Sequence, residues 1–115
     1  MPIKNAKEYL ATLTEDRDIS IEGERIKDVA GDPRFAGAAQ TMAELMEKQS
    51  DPDLIDTMTY TSPTTGDKVG MTHIQPRSRD DIVARNEAIK VWMDASCGMM
   101  GRSPDYKNCI IASYA

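Results

Sequence analysis

The hydrophobic pattern changes period several times along the chain, and each change marks an element. In "NAKEYLATLTEDR", Tyr9, Leu10 and Leu13 recur at helical spacing behind Asn5, a residue suited to cap a helix start. The period drops to two in "DISIEGERIKDV". Ile19 and Ile21 alternate with polar residues, Glu22-Gly23 suits a tight turn, and Ile26 lies on the return, so a small hairpin is predicted. "GDPRFAGAAQTMAELMEKQSD" restores the helical period. Asp32 is a natural cap, Pro33 fits the first helical position, and Phe35, Ala39, Met42, Leu45 and Met46 form the expected buried face. Asp51-Pro52 closes it. A second hairpin is predicted from strand-like runs at 57–61 and 68–74 flanking the turn-rich "SPTTGD". The strongest helix is "SRDDIVARNEAIKVWMDASCGMM". Ser78 and Asp81 form a capping-box pair, and Ile82, Ile89, Trp92, Met93, Ser96 and Met100 share one side. Gly98 and Gly101 weaken or end it, and Ser103-Pro104 opens another helix. The predicted class is mainly α with one or two small β-hairpins, without repeat, linker or low-complexity segment.

Length suits one domain: the chain has 115 residues. With 40% hydrophobic and 29% charged residues, a modest core is possible and global disorder is disfavoured. A net charge of −5 makes the chain a poor candidate for a general nucleic-acid binder, whose affinity comes from Lys and Arg meeting phosphates. No apolar run is long enough to span a bilayer, and "MPIKNAKEYL" lacks the apolar centre of a secretory signal. Cys97 and Cys109 have no metal-ligand spacing, so free thiols and a cytoplasmic setting are expected, with no metal site and no membrane partner. The chain stops at "CIIASYA", inside an apolar run without a helix stop signal, as expected of the N-terminal piece of a longer protein.

Candidate chemistry concentrates in "CGMMGRSPDYKNC". Arg102 falls between one helix and the next, and Tyr106 lies one turn further on, so both can point the same way. A guanidinium and a phenol together can bind an anionic oxygen such as a phenolate or carboxylate. In the structural reading, Arg102 caps the preceding helix and Tyr106 packs in the core; spacing alone favours it. His73 stands alone in a predicted strand, where a polar surface role outweighs catalysis and zinc would need further ligands. Cys97 and Cys109 read as buried thiols, and the methionines 42, 46, 93, 99 and 100 as core filler, though Met also suits an adaptable aromatic-binding wall. "EDRD" and "RSRDD" read as solvated surface, and neither "GDKVG" nor "GMMG" matches a phosphate loop.

The strings "EYLATL…DRDISIEGERIKDV…DPRFAGAA", "YTSPTTGDKVG" and above all "CGMMGRSPDYKN" resemble the N-terminal region of the 4-hydroxyphenylacetate 3-monooxygenase oxygenase-component family, which includes chlorophenol monooxygenases and the pyoverdine chromophore hydroxylase. The resemblance covers nearly the whole chain in the same order. It implies that residues 1–115 are the N-terminal helical domain of a larger, acyl-CoA-dehydrogenase-like flavoprotein, usually homotetrameric. It further implies reduced FAD supplied by a separate flavin reductase, molecular oxygen as co-substrate, and ortho-hydroxylation of a phenol such as 4-hydroxyphenylacetate. Arg102 and Tyr106 match the arginine and tyrosine that the family places at the substrate's phenolic oxygen. Gly101 would allow close approach, and Ser103 with Pro104 would set the helix start. The family's catalytic histidine and most flavin-contacting segments lie downstream of this motif, so flavin-binding residues are not assigned, and the chain alone is expected to be inactive. A related iron–sulfur dehydratase is disfavoured, because "GRSPDYKNC" lacks a C-x₃-C pair. The alternative to the enzyme reading is a stand-alone, non-enzymatic remnant acting as an assembly or binding module.

Overall fold

A computed structural model describes residues 2–14, 18–98 and 110. The chain divides into two compact units, one spanning Lys4–Lys48 and the other Met1–Ile3 with Gln49–Ala115.

The first unit opens with helix α1 (Ala6–Thr12), capped by Asn5. The Asn5 side chain accepts from the Glu8 N–H at 2.9 Å while Glu8 accepts from the Asn5 N–H at 2.9 Å, a full capping box. The next free donor of that first turn, the Ala6 N–H, reaches Glu47 Oε2 at 3.0 Å, which ties the helix start to α2 (Ala36–Ser50). Between them, β1 (Ile19–Ile21) and β2 (Glu24–Ile26) pair antiparallel in the register Ile19↔Ile26, Ser20↔Arg25, Ile21↔Glu24. Their two-residue turn places Glu22 at φ 52° and Gly23 at φ 85°. Two positive φ values in succession match the right-handed twist of the strands.

One boundary differs from the prediction. Regular α2 begins at Ala36, three residues after Pro33, because the Phe35 N–H bonds the Asp32 carbonyl at 2.9 Å and tightens the first turn. Asp32 still caps that turn, accepting from the Arg34 N–H at 2.9 Å. Leu13, Ile26, Ala39, Ala43 and Leu45 are the buried apolar residues of this unit, whereas Phe35, Met42 and Met46 are half-buried.

In the second unit, Asp51 stops α2 and immediately nucleates another turn. Its side chain accepts from the Asp53 N–H at 2.8 Å and its carbonyl from Ile55 at 2.8 Å. That cap draws residues 55–58 into helix α3 (Ile55–Met58), overriding the β-branched run that predicts a strand from 57. Strands β3 (Thr59–Thr61) and β4 (Lys68–Gly70) follow, paired Thr59↔Gly70, Tyr60↔Val69, Thr61↔Lys68. The second run also stops early, since Met71–His73 form a 3₁₀ turn. Helix α4 (Arg79–Ala95) packs on this turn and on α3. Met58, Val69, Met71, Ala88 and Trp92 are buried together with the polar Gln49, Thr59 and Thr72.

The predicted side of α4 faces inward only in part: Trp92 is buried and Ile89 and Ser96 are half-buried. Trp92 and Ala88 are buried, but Ile82 and Met93 are 46% and 43% exposed. The single large aromatic removes more apolar surface from water than either, so its direction decides the orientation of the helix. The observed class, helices with two small antiparallel strand pairs, agrees with the sequence reading.

Candidate functional site

The motif that carries the chemistry lies beyond the C-terminal end of α4, so the helix determines where it starts. At its N-terminus, Ser78 Oγ accepts from the Asp81 N–H at 3.2 Å. Asp81 Oδ2 in turn accepts from the N–H groups of Arg77 and Ser78, each at 2.9 Å. These bonds, the one from Arg77 foremost, hold the Asp81 carboxyl below its ordinary range. "RSRDD" is therefore a helix-start device and not solvated surface alone. At the other end, the Gly98 N–H returns to the Met93 carbonyl at 2.9 Å, with Cys97 at φ 52° and Gly98 at φ 79°. This is a Schellman-type stop in which Cys97 takes the left-handed position that glycine ordinarily fills. The Ser96 hydroxyl donates to the Trp92 carbonyl at 2.6 Å and reinforces the stop. The break thus falls at residues 96–98, directly before the motif.

Gly101, Arg102, Ser103 and Tyr106 lie outside the described residues, as do Cys109, Met99 and Met100. Of the other candidates, His73 is the exposed residue of the 3₁₀ turn, with its carbonyl accepting from the Tyr60 hydroxyl at 3.3 Å. Its position is a turn, not a strand. Cys97 is exposed, which corrects the expectation of a buried thiol, because the left-handed turn carries it off the buried side of α4. Met93 likewise is not core filler. Among the described residues no group of three or more His, Cys, Asp or Glu could hold a metal ion, and no helix is long and apolar enough to cross a membrane.

One charged cluster was not legible in the pattern of the sequence. An open depression beside the first hairpin is lined by Glu24, Arg25, Lys27, Asp28, Asp32 and Arg34, among others. Arg34 makes a two-pronged contact with Asp32, Nη2 to Oδ2 at 2.7 Å and Nε to Oδ1 at 2.9 Å, and reaches Glu24 Oε2 at 3.1 Å. The guanidinium and the Arg34 N–H together pull the Asp32 carboxyl down to about 2. Asp28 accepts from the Gly31 N–H at 3.0 Å, and a side chain at Gly31 would collide with that carboxylate. With Arg34 held by Asp32 and Glu24, and Asp28 by the Gly31 N–H, this cluster reads as the brace of the loop between β2 and α2. Its only sequence signal is the acid–base spacing in "GERIKDVAGDPR".

Comparison with known proteins decides the affiliation. The family model described as "4-hydroxyphenylacetate 3-hydroxylase N terminal" matches residues 5–115, a span that includes the whole "GRSPDY" motif. The chain belongs to this family. The oxygenase component of 4-hydroxyphenylacetate 3-monooxygenase from Geobacillus sp. (strain PA-9) is 45% identical over 109 residues, covering 94% of this chain and 22% of that protein. The oxygenase component from Thermus thermophilus is 36% identical over 113 residues, covering 97% of this chain and 23% of the relative. A crystal structure of the oxygenase component of 4-hydroxyphenylacetate 3-monooxygenase complexed with FAD superposes with a TM-score of 0.86 at 35% identity, covering 96% of this chain and 23% of that one. The chain therefore spans less than a quarter of the length of these relatives, and the fold described above is that of the family's N-terminal part.

Proposed function

We propose that residues 1–115 are the N-terminal part of a two-component, reduced-FAD-dependent aromatic monooxygenase that ortho-hydroxylates a phenol such as 4-hydroxyphenylacetate. The observation that carries this reading is the family match over residues 5–115, which runs through the "GRSPDY" motif. It gains support from a solved relative complexed with both FAD and 4-hydroxyphenylacetate. The same comparisons weigh against a stand-alone assembly module. The resemblance extends the reading to an acyl-CoA-dehydrogenase-like, homotetrameric, cytoplasmic full-length protein served by a flavin reductase. FAD, once reduced, supplies the oxygen-activating chemistry; its binding residues are not assigned within this chain.

The role of this chain is to hold the phenol. Oxygen transfer to an aromatic ring is easiest when the ring is electron-rich, and a phenolate is richer than a phenol. Arg102 beside the phenolic oxygen would lower its pKa and hold the ionised form. Tyr106 would orient it by hydrogen bonding, Gly101 would let the backbone come close, and Ser103 would start the helix that carries Tyr106. The Schellman stop at residues 96–98 ends α4 just before these positions, so that they can be set by a new turn.

The test is a fusion in which this chain replaces the matching segment of the Geobacillus relative. With reductase, FAD and 4-hydroxyphenylacetate, the fusion is expected to hydroxylate. Arg102→Ala should lose most of the coupling between flavin oxidation and product formation, and an unchanged product yield would remove Arg102 from the site. A fusion that binds reduced FAD under anaerobic conditions yet hydroxylates no phenol would overturn the substrate class.

A further inference from the structure

Helix α4 has a broad apolar side, but only one margin of it is covered. Trp92 and Ala88 are buried, whereas Ile82, Val83 and Met93 are 46%, 48% and 43% exposed. Ile82 and Met93 stand about three turns apart, hence in line on one stripe, with Val83 beside the first and half-buried Ile89 between them. Among the described residues only four large hydrophobic side chains are exposed, and three of them are these. A helix whose apolar side is broader than its neighbours cover needs a further neighbour on the uncovered margin. The stripe also has a polar border. Arg85, one turn from both Ile82 and Ala88, has a buried Nε that meets no hydrogen-bond partner among the described residues. Buried donors of this kind find an acceptor in finished structures, and a carboxylate fits a guanidinium best.

We infer that the Ile82–Val83–Met93 stripe, with Arg85 at its border, is the docking surface for the remainder of the family's polypeptide, which meets it with apolar side chains and a carboxylate. The occupant is argued from length: the matched segment covers 22% and 23% of the relatives, so more than three quarters of their chain lies outside it and is available to cover this surface. The inference rests on family membership and not on the hydroxylation chemistry.

Chemical protection tests it without reference to activity. Met93→Cys is placed in a Cys97→Ser, Cys109→Ser background, and the rate of thiol alkylation is measured in the 115-residue chain and in the fusion with the Geobacillus relative. The thiol should react at least ten times more slowly in the fusion. Adding Arg85→Met should relieve that protection several-fold, whereas Arg85→Lys should relieve less of it. Equal alkylation rates in both proteins overturn the proposal. Protection in the short chain that disappears on dilution, with none added by the fusion, assigns the stripe to a second copy and also overturns it. Protection untouched by Arg85→Met removes the carboxylate. Should the fusion not assemble, the same cysteine at the aligned position of the intact Geobacillus protein gives the same readout: slow alkylation supports the inference and fast alkylation refutes it.

Discussion

Trp92→Ala is the sharpest test of how α4 is seated. Trp92 is 1% exposed, on the helix that packs against α3 and the Met71–His73 turn. A buried Trp hides roughly 150–250 Å². At about 25 cal/mol per Å² this amounts to roughly 4–6 kcal/mol as an upper limit, since the unfolded chain already buries some of it. Truncations of buried aromatics to Ala cost about 3–5 kcal/mol, so the expected loss is about 3–5 kcal/mol. That is a large share of the roughly 5–15 kcal/mol that holds a small domain together. The assay is urea unfolding followed by far-UV circular dichroism and extrapolated linearly to water. Trp92 is the only tryptophan, so its fluorescence in the unsubstituted chain reports on one unit alone. Coincidence of the fluorescence and dichroism transitions shows whether the two units unfold together, which a single free energy requires. Met93→Ala, one residue on and 43% exposed, is the control and should cost under about 0.5 kcal/mol. A loss below about 1 kcal/mol for Trp92→Ala at unchanged denaturant slope would refute the assigned face. A loss for Met93→Ala as large as that for Trp92→Ala would do the same.

Four further outcomes are expected. Gly23→Ala should destabilise by roughly 1–2 kcal/mol through backbone strain alone, since Gly23 sits at φ 85° with open space where a side chain would stand; thermal unfolding checks it. Ser78→Ala should cost roughly 0.5–2 kcal/mol by removing the α4 cap, and the same assay reads it. Asp32 is depressed from 3.8 to about 2, so the folded state binds fewer protons there than the unfolded one. Its stabilisation is complete above 3.8 and is lost as the pH falls from 3.8 towards about 2; Arg34→Gln should flatten that part of the acid limb, and identical pH profiles would contradict the pairing. Tyr106→Phe in the fusion protein should weaken phenol binding by roughly 0.5–1.5 kcal/mol, the worth of one neutral hydrogen bond, and unchanged binding would count against its role.

What could be read from the sequence was what depends on near neighbours. The Asn5 and Ser78 caps, the Glu22-Gly23 turn and the stop at Asp51 each need only a few adjacent residues to act, and all four stand where the pattern puts them. The "GRSPDY" motif was legible as family resemblance, whereas spacing alone left Arg102 and Tyr106 with a structural alternative. Tertiary structure decided the rest. Residues 57–58 look like strand, yet the turn started by Asp51 takes them into α3. The Asp32–Arg34–Glu24 brace joins residues that the hairpin and its loop must first bring together. Most of all, the apolar side of α4 is broad, with Ile82 and Met93 along one margin and Trp92, next to Ala88, along the other. Periodicity puts Ile82, Trp92 and Met93 on one side but cannot tell which margin is covered. Burial is a property of the space between elements, and only the packing of α4 on α3 and the Met71–His73 turn selects the margin with Trp92.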